Sequence, residues 1–357
     1  MTTALTHIAP SAVHTFLTKC TRAPDRFYYP CNAKARSPQH CAYQLNTGSR
    51  GAVSVVVHEC EYIDGGTGWR AWPCALLLAC WLAAHEEELG LAERSVLELG
   101  CGLGLPGLAA AALGARRVAL TDCLPKLLRT VADSCEACAR LAAAQGGGAV
   151  AAQAALLDWE EEAAKAGGPA PDSGEQYSTE QGVKAAQLLA LEADEAASPP
   201  LPRLADDERF ELLLASDVIY SAGHAAMLPR VVGRRAAACA PGGAPALRLC
   251  AMVPVRCAEH THAFLRGLQQ QGMRVALARV SAAWVGAVLA LQRTPDAMRQ
   301  APAMAAEATG AAAEAPKTET TAAPAQPPES DTRASVPYDV GTELSEGDIV
   351  FVEAWTG

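Results

Sequence analysis

The chain has 357 residues, half of them apolar, and a formal net charge of −10. That apolar fraction excludes a chain disordered throughout, and the uncharged run at 71–84, interrupted by Pro73, is too short to span a membrane. The acidity is local, because residues 160–207 carry a net −8 and residues 294–346 a net −6, leaving +4 elsewhere, which is too weak for a nucleic-acid footprint.

Residues 1–48 read as an N-terminal extension. Their first acid is Asp25, after Lys19 and Arg22, amid frequent Ser and Thr. That composition suits an organelle transit segment as well as a plain extension to a cytoplasmic protein. VSVVVHE (53–59) is β-branched and predicts a strand. Residues 70–88 have the apolar pattern of a buried helix that stops at Gly90. SVLEL (95–99) predicts a strand that ends in a glycine-rich turn. Pro106 lies near the start of a helix over 105–114, where its missing N–H costs little. RRVALTD (116–122) predicts the next strand, 124–143 a helix, and 149–157 contains a third strand. The acidic stretch 160–207 reads as an insert with a helix-prone piece at 183–197. FELLLAS (210–216), PALRLCA (245–251) and MRVALARV (273–280) predict strands, with helices at 222–239 and 258–271 between them. Residues 294–346 form an Ala- and Pro-rich, low-complexity insert expected to be disordered. DIVFVEAW (348–355) closes the series.

Alternating strands and helices predict an α/β fold with a doubly wound, mostly parallel sheet. The domain is 49–293 together with 347–357, and the two inserts are expansions on its surface. Thirteen scattered cysteines, an odd number, suit reduced thiols in an intracellular compartment. The lone Cys135-x-x-Cys138 has no second pair at ligand spacing, so no metal site is expected.

The strongest chemical signal is VLELGCGLGLPG (96–107). A strand, a glycine turn and a helix place backbone N–H groups at the carboxyl edge of a sheet, where open α/β sheets bind ligands. Gly102, Gly104 and Gly107 fit G-x-G-x-x-G, and Asp122 follows Gly102 by 20 residues at the next strand's end, as a ribose acceptor would. The pattern suits an adenosine-containing cofactor without saying which. Glu98, two residues before Gly100, disfavours a pyrophosphate by charge and favours a ligand carrying a sulfonium and an amino group. Trp159, in LLDWE, stands where an indole can lie against adenine. SDVIY (216–220) brings Asp217 and Tyr220 to the same sheet edge.

Four segments together resemble the seven-β-strand, class I methyltransferases that use S-adenosylmethionine, and within them lysine methyltransferase family 16. They are GTGWRAWPCALLLACWL (66–82), VLELGCGLGLPGLAAAALGA (96–115) with VALTDCLPKLL (118–128), LLDWE (156–160), and FELLLASDVIYSAGHAAMLPRVV (210–232). The resemblance implies a seven-stranded Rossmann-like sheet. It implies methyl transfer to a lysine of a protein such as an elongation factor or chaperone, with no nucleic acid or membrane involved. It implies donor contacts from Trp72, Glu98, Gly100, Cys101, Gly102, Gly104, Asp122, Trp159 and Ser216, with Asp217 and Tyr220 facing the acceptor. The family's asparagines after the ribose acid are replaced here by Asp133, Ser134, Cys135 and Cys138. The residues leave three rivals open. They are methylation of a histidine or a small molecule, a nicotinamide oxidoreductase, and a catalytically silent module that holds a partner through its acidic inserts.

Overall fold

A computed structural model describes residues 7–8, 40–47, 51–146, 150–167, 201–238, 246–286, 336–339 and 341–356. The strands are β1 (His40–Asn46), β2 (Ala52–His58), β3 (Ser95–Leu99), β4 (Arg117–Asp122), β5 (Ala152–Leu156), β6 (Leu212–Ser216), β7 (Ala246–Pro254), β8 (Arg274–Val280) and β9 (Ile349–Thr356). The helices are α1 (Pro73–Ala84), α2 (Leu105–Ala112), α3 (Pro125–Ala144), α4 (Trp159–Lys165), α5 (Ala222–Arg235) and α6 (Ala258–Gln270), with shorter turns of helix between them. Strands β3 to β9 form one sheet in the order β8-β9-β7-β6-β3-β4-β5. Six run parallel, and β9 is inserted antiparallel between β7 and β8. This is the doubly wound, seven-stranded sheet expected. His7–Ile8 and Val336–Pro337 add two-residue pairings to β8, which would otherwise leave an open edge.

Alternation along the strands sends side chains to opposite faces. On β3, Val96 joins one core, with α1, α2, α3 and the β1–β2 hairpin, while Leu97 and Leu99 join the other, with α5 and α6. Helix α1 is buried from Pro73 to Ala79 and again from Trp81 to Ala83. It packs against α2, β7 and β1, so apolar residues all round it are what its position requires. Each of its fully buried leucines, Leu77, Leu78 and Leu82, stabilises the fold by about 1.5–3 kcal/mol.

Three boundaries differ from the sequence reading. The extension over 1–48 contains a strand, because β1 pairs antiparallel with β2 from His40↔His58 to Asn46↔Ala52 and buries Cys41 and Leu45. The acidic insert over 160–207 begins with folded structure. Asp158 caps α4 by accepting from the Glu160 N–H at 3.0 Å, and the Pro202 carbonyl accepts from Leu156 N–H at 2.8 Å. The insert over 294–346 ends in packed residues, since Tyr338, Thr342 and Leu344 are buried. The helix-prone piece at 183–197, and the bulk of both inserts with their expected disorder, lie outside the described residues.

Ser134 and Cys138 have a structural task. Ser134 Oγ accepts from His58 N–H at 2.9 Å, and Cys138 Sγ accepts from Val56 N–H at 3.3 Å. The side of β2 away from β1 is thereby tied to α3. Cys60, Cys74, Cys80, Cys101, Cys135, Cys138 and Cys257 are free thiols. Among the described residues no group of three or more His, Cys, Asp or Glu is placed to hold a metal, and no helix is long and apolar enough to cross a membrane.

Candidate functional site

From β3 the chain winds outward to β4 and β5, then returns to the other side of β3 with β6. The sheet order reverses between β3 and β6, and the carboxyl ends of those strands flank the crevice where such sheets take ligands. Residues 100–104 turn the chain there. Gly100 and Gly102 have φ of 61° and 51°, the left-handed region. A Cβ on Gly100 would stand 2.9 Å from the Trp159 ring and 3.1 Å from Val218, and one on Gly102 would meet the Gly68 backbone at 3.4 Å. The turn is thus held between α4, the β6 exit and the Gly66–Gly68 turn. Gly104, also left-handed at φ 76°, leads into α2. The Cys101 side chain is buried, and its N–H donates to the Thr121 carbonyl at 2.8 Å. Burial pushes its thiol well above the ordinary range, so Cys101 serves the turn through its backbone and is no nucleophile.

Asp122 ends β4 beside this turn. Its Oδ2 accepts from Gly102 N–H at 3.2 Å, and its Oδ1 accepts from Cys123 and Leu124 N–H at 2.8 and 3.3 Å. Burial raises its carboxyl, and the N–H groups of Gly102, Leu124 and Cys123, together with the Cys123 side chain, pull it back.

Glu98 is fully buried beneath the turn. Its Oε2 accepts from Gly107 N–H at 2.8 Å, in the first turn of α2, while Oε1 has no hydrogen-bond partner among the described residues. Burial pushes the carboxyl up to about 8, with the Gly107 N–H opposing and the Asp122 charge adding. The folded chain therefore keeps a proton that the unfolded chain gives up near the ordinary 4.5. Stability is expected to fall as pH rises between those two values and to level off above the higher one. Glu98→Gln should remove that slope in thermal melts taken without ligand, and an unchanged slope refutes the assignment.

An aromatic row crosses the floor of the crevice. Trp159 meets His224 edge-on with centroids 5.8 Å apart, and His224 meets Tyr220 edge-on at 4.2 Å. Burial lowers the His224 pKa to about 4, the Glu160 charge opposing, so the ring is neutral and packs as an aromatic spacer. Trp72 caps the start of α1, its Nε1 donating to the Thr67 carbonyl at 2.7 Å, with the Arg70 guanidinium 5.4 Å from its ring centroid. Ser216 is the last residue of β6, half-buried.

Asp217 follows at φ 57°, the one non-glycine left-handed residue among those described. A glycine would adopt this geometry without strain, and strained residues of this kind gather at functional sites. Its N–H donates to the Met252 carbonyl at 3.0 Å, and both its carboxylate oxygens accept from Arg256. Burial first, and the Asp217 charge second, push the neighbouring Cys74 thiol well above its ordinary range. Helix α1 also packs against β6, the strand that leads into Asp217. The site therefore joins Gly100, Gly102, Asp122 and Trp159 on one side and Tyr220, Asp217 and the start of α1 on the other. Sequence reasoning missed Arg256. Its signal was a lone cation two residues past an apolar strand, on the edge where ligands bind. It also left the Gly66–Gly68 turn without a role.

Residues 55–169 match the sequence family described as "Lysine methyltransferase". Histone-arginine methyltransferase METTL23 of Xenopus laevis is 40% identical over 82 residues, 22% of this chain and 32% of that protein. Protein-lysine methyltransferase METTL21E of Mus musculus is 40% identical over 73 residues, 20% of this chain and 29% of that protein. The chain thus spans about a third of the length of the curated relatives it matches. Among solved structures, the branched-chain polyamine synthase from Thermus thermophilus, in complex with N4-aminopropylspermidine and 5'-methylthioadenosine, aligns at 19% identity and a TM-score of 0.32. That alignment covers 58% of this chain and 44% of the synthase.

Proposed function

From the similarity of residues 55–169 to the lysine methyltransferase family, we propose that this chain transfers a methyl group from S-adenosylmethionine to a lysine side chain of a protein. The observation that carries the reading is the Asp122 carboxylate fixed to the Gly102 N–H at the switch point. That arrangement sets the carboxylate towards ribose hydroxyls directly beside a turn in which a Cβ on Gly100 would stand 2.9 Å from the Trp159 ring. The buried, unpartnered Oε1 of Glu98 fits the same donor, whose α-ammonium group would favour the ionised carboxylate and satisfy this oxygen as an acceptor.

When bound, the donor supplies a methyl carbon on a sulfonium, which the amine lone pair attacks in line while the C–S electrons stay on sulfur and the new alkylammonium gives its proton to water. The chain's own residues align the two reactants. Gly100, Cys101, Gly102 and Gly104 form the bed under the donor. Asp122 takes the ribose, Trp159 gives the adenine a flat apolar wall, and Trp72 and Ser216 close the sides. Asp217 orients the acceptor nitrogen, and the Tyr220 ring shields it from water. Desolvation there lowers the lysine pKa and frees its lone pair. The partner is a folded protein such as an elongation factor or a chaperone.

The test is label transfer. Purified protein, donor labelled on the transferable methyl and a hypomethylated lysate should give a discrete labelled protein band. Label confined to the small-molecule fraction overturns the protein-substrate reading. Donor binding with no transfer to anything overturns the enzymatic one.

A further inference from the structure

Arg256 has no part in the mechanism above, yet it is the only side chain among those described that hydrogen-bonds the Asp217 carboxylate. Its Nη1 meets Oδ1, and its Nη2 meets Oδ2 at 3.0 Å. This is the two-pronged geometry in which a planar guanidinium takes one lone pair from each oxygen. The Asp217 side chain is 9% exposed and that of Arg256 is 41% exposed. The carboxylate is thus covered, and the cation forms part of the visible wall. The Asp217 backbone is pinned to Met252 in the left-handed region, which fixes where its side chain starts.

We propose that Arg256 is a specificity-determining residue, which occupies both oxygens of Asp217 in the fork that a substrate guanidinium would otherwise form and leaves single lone pairs for an amine. The inference rests on the methyl-transfer reading. Two physical arguments support it. A second guanidinium cannot form the same fork on the same carboxylate, because each oxygen has already given its inward lone pair. An amine nitrogen needs only one contact, and the outward lone pairs remain for it. Charge acts in the same direction. A substrate guanidinium stays cationic at every working pH, so it would bring a second fixed positive charge beside Arg256. A lysine enters the reaction as a neutral amine and meets no such repulsion. Burial opposes the charge on Arg256, but the Asp217 hydrogen bond and charge outweigh it and raise the guanidinium pKa, so this barrier is permanent. The distinction bears on this chain because its similar proteins include one named for arginine and one named for lysine.

The experiment compares the wild-type chain with Arg256→Gln and Arg256→Lys. Each is incubated with labelled S-adenosylmethionine and a hypomethylated lysate. The proteins are then hydrolysed and methyl-lysines separated from methylarginines. Calorimetry with S-adenosylhomocysteine and a thermal melt report donor binding and folding. The wild type should label lysine. Arg256→Gln should lower methyl-lysine by roughly 10–100-fold through lost alignment, leave S-adenosylhomocysteine binding unchanged, and shift the remaining label towards methylarginine. Arg256→Lys, which keeps the charge but loses the fork, should fall between, and it serves as the test if the glutamine variant does not fold. Methylarginine from the wild type, or an unchanged lysine-to-arginine ratio in both variants, overturns the role of Arg256 and leaves methyl transfer standing. No protein label despite donor binding overturns the reading beneath it, and this inference with it.

Discussion

Asp122→Ala is expected to weaken S-adenosylhomocysteine binding about 100-fold, because each hydrogen bond to a charged group contributes about 1.5–3 kcal/mol and tenfold in affinity is about 1.4 kcal/mol. The loss has two parts. One is the contact to the ribose. The other is the turn itself, since Oδ2 holds the Gly102 N–H and Oδ1 holds the Cys123 and Leu124 N–H groups at the start of α3. Asp122→Asn separates them. Its carbonyl oxygen can still accept from Cys123 and Leu124, while its NH2 group cannot accept from Gly102 and carries no charge. The asparagine variant should therefore fold as the wild type does and bind with intermediate affinity. Calorimetric titration with S-adenosylhomocysteine, paired with a thermal melt, measures both parts. Affinity unchanged in the alanine variant would remove Asp122 from the donor site.

The second large effect concerns stability. Arg235 and Glu162 are 1% and 3% exposed and meet at 2.7 Å, with Arg234 Nε on the same Glu162 oxygen at 3.0 Å. Burial alone would raise the Glu162 carboxyl, but the hydrogen bonds and charges of Arg235 and Arg234 outweigh it and hold the carboxyl below its ordinary range. Arg235 also donates to the Ala205 carbonyl at 2.6 Å. Removing one partner of such a pair leaves an uncompensated buried charge, so Glu162→Ala is expected to cost about 3–5 kcal/mol. In a thermal melt that is a fall of roughly 6–20 °C. Replacing Glu162 and Arg235 together by Leu and Met should cost much less, because no charge is then stranded. If the single and double variants melt alike, the pair does not carry the docking of α4. The site feels this cluster as well, since α4 begins at Trp159, whose ring stands against Gly100.

The features legible in the sequence were those encoded locally. SVLEL carries apolar residues at Val96, Leu97 and Leu99 and runs into a glycine turn, so β3 is read where it lies. Asp122 was found by its spacing from Gly102. What escaped depends on partners distant in the chain. The alternation of Cys41, Tyr43 and Leu45 is a strand signal that is meaningful only because β2 pairs with it. Glu162 sits in a run of glutamates that reads as solvated surface, and only the return of Arg234 and Arg235 on α5 makes it a core residue. Arg256 gave no periodic signal, and its partner Asp217 lies 39 positions earlier. Composition set both edges of the first insert and the far edge of the second too wide, because charge and proline content report solvation and not which residues near a strand end are tied down.

Described residues flank the acidic stretch at Gly167 and at Leu201. Both banks are fastened, by Lys165 to Asp206 at 2.6 Å, by Arg203 to Glu161 at 3.2 Å, and by the Leu156 N–H to the Pro202 carbonyl. The residues on either side of 168–200 are thus clamped to each other by contacts within the domain, so the meeting of β5, α4 and the segment that enters β6 is fixed by these banks themselves.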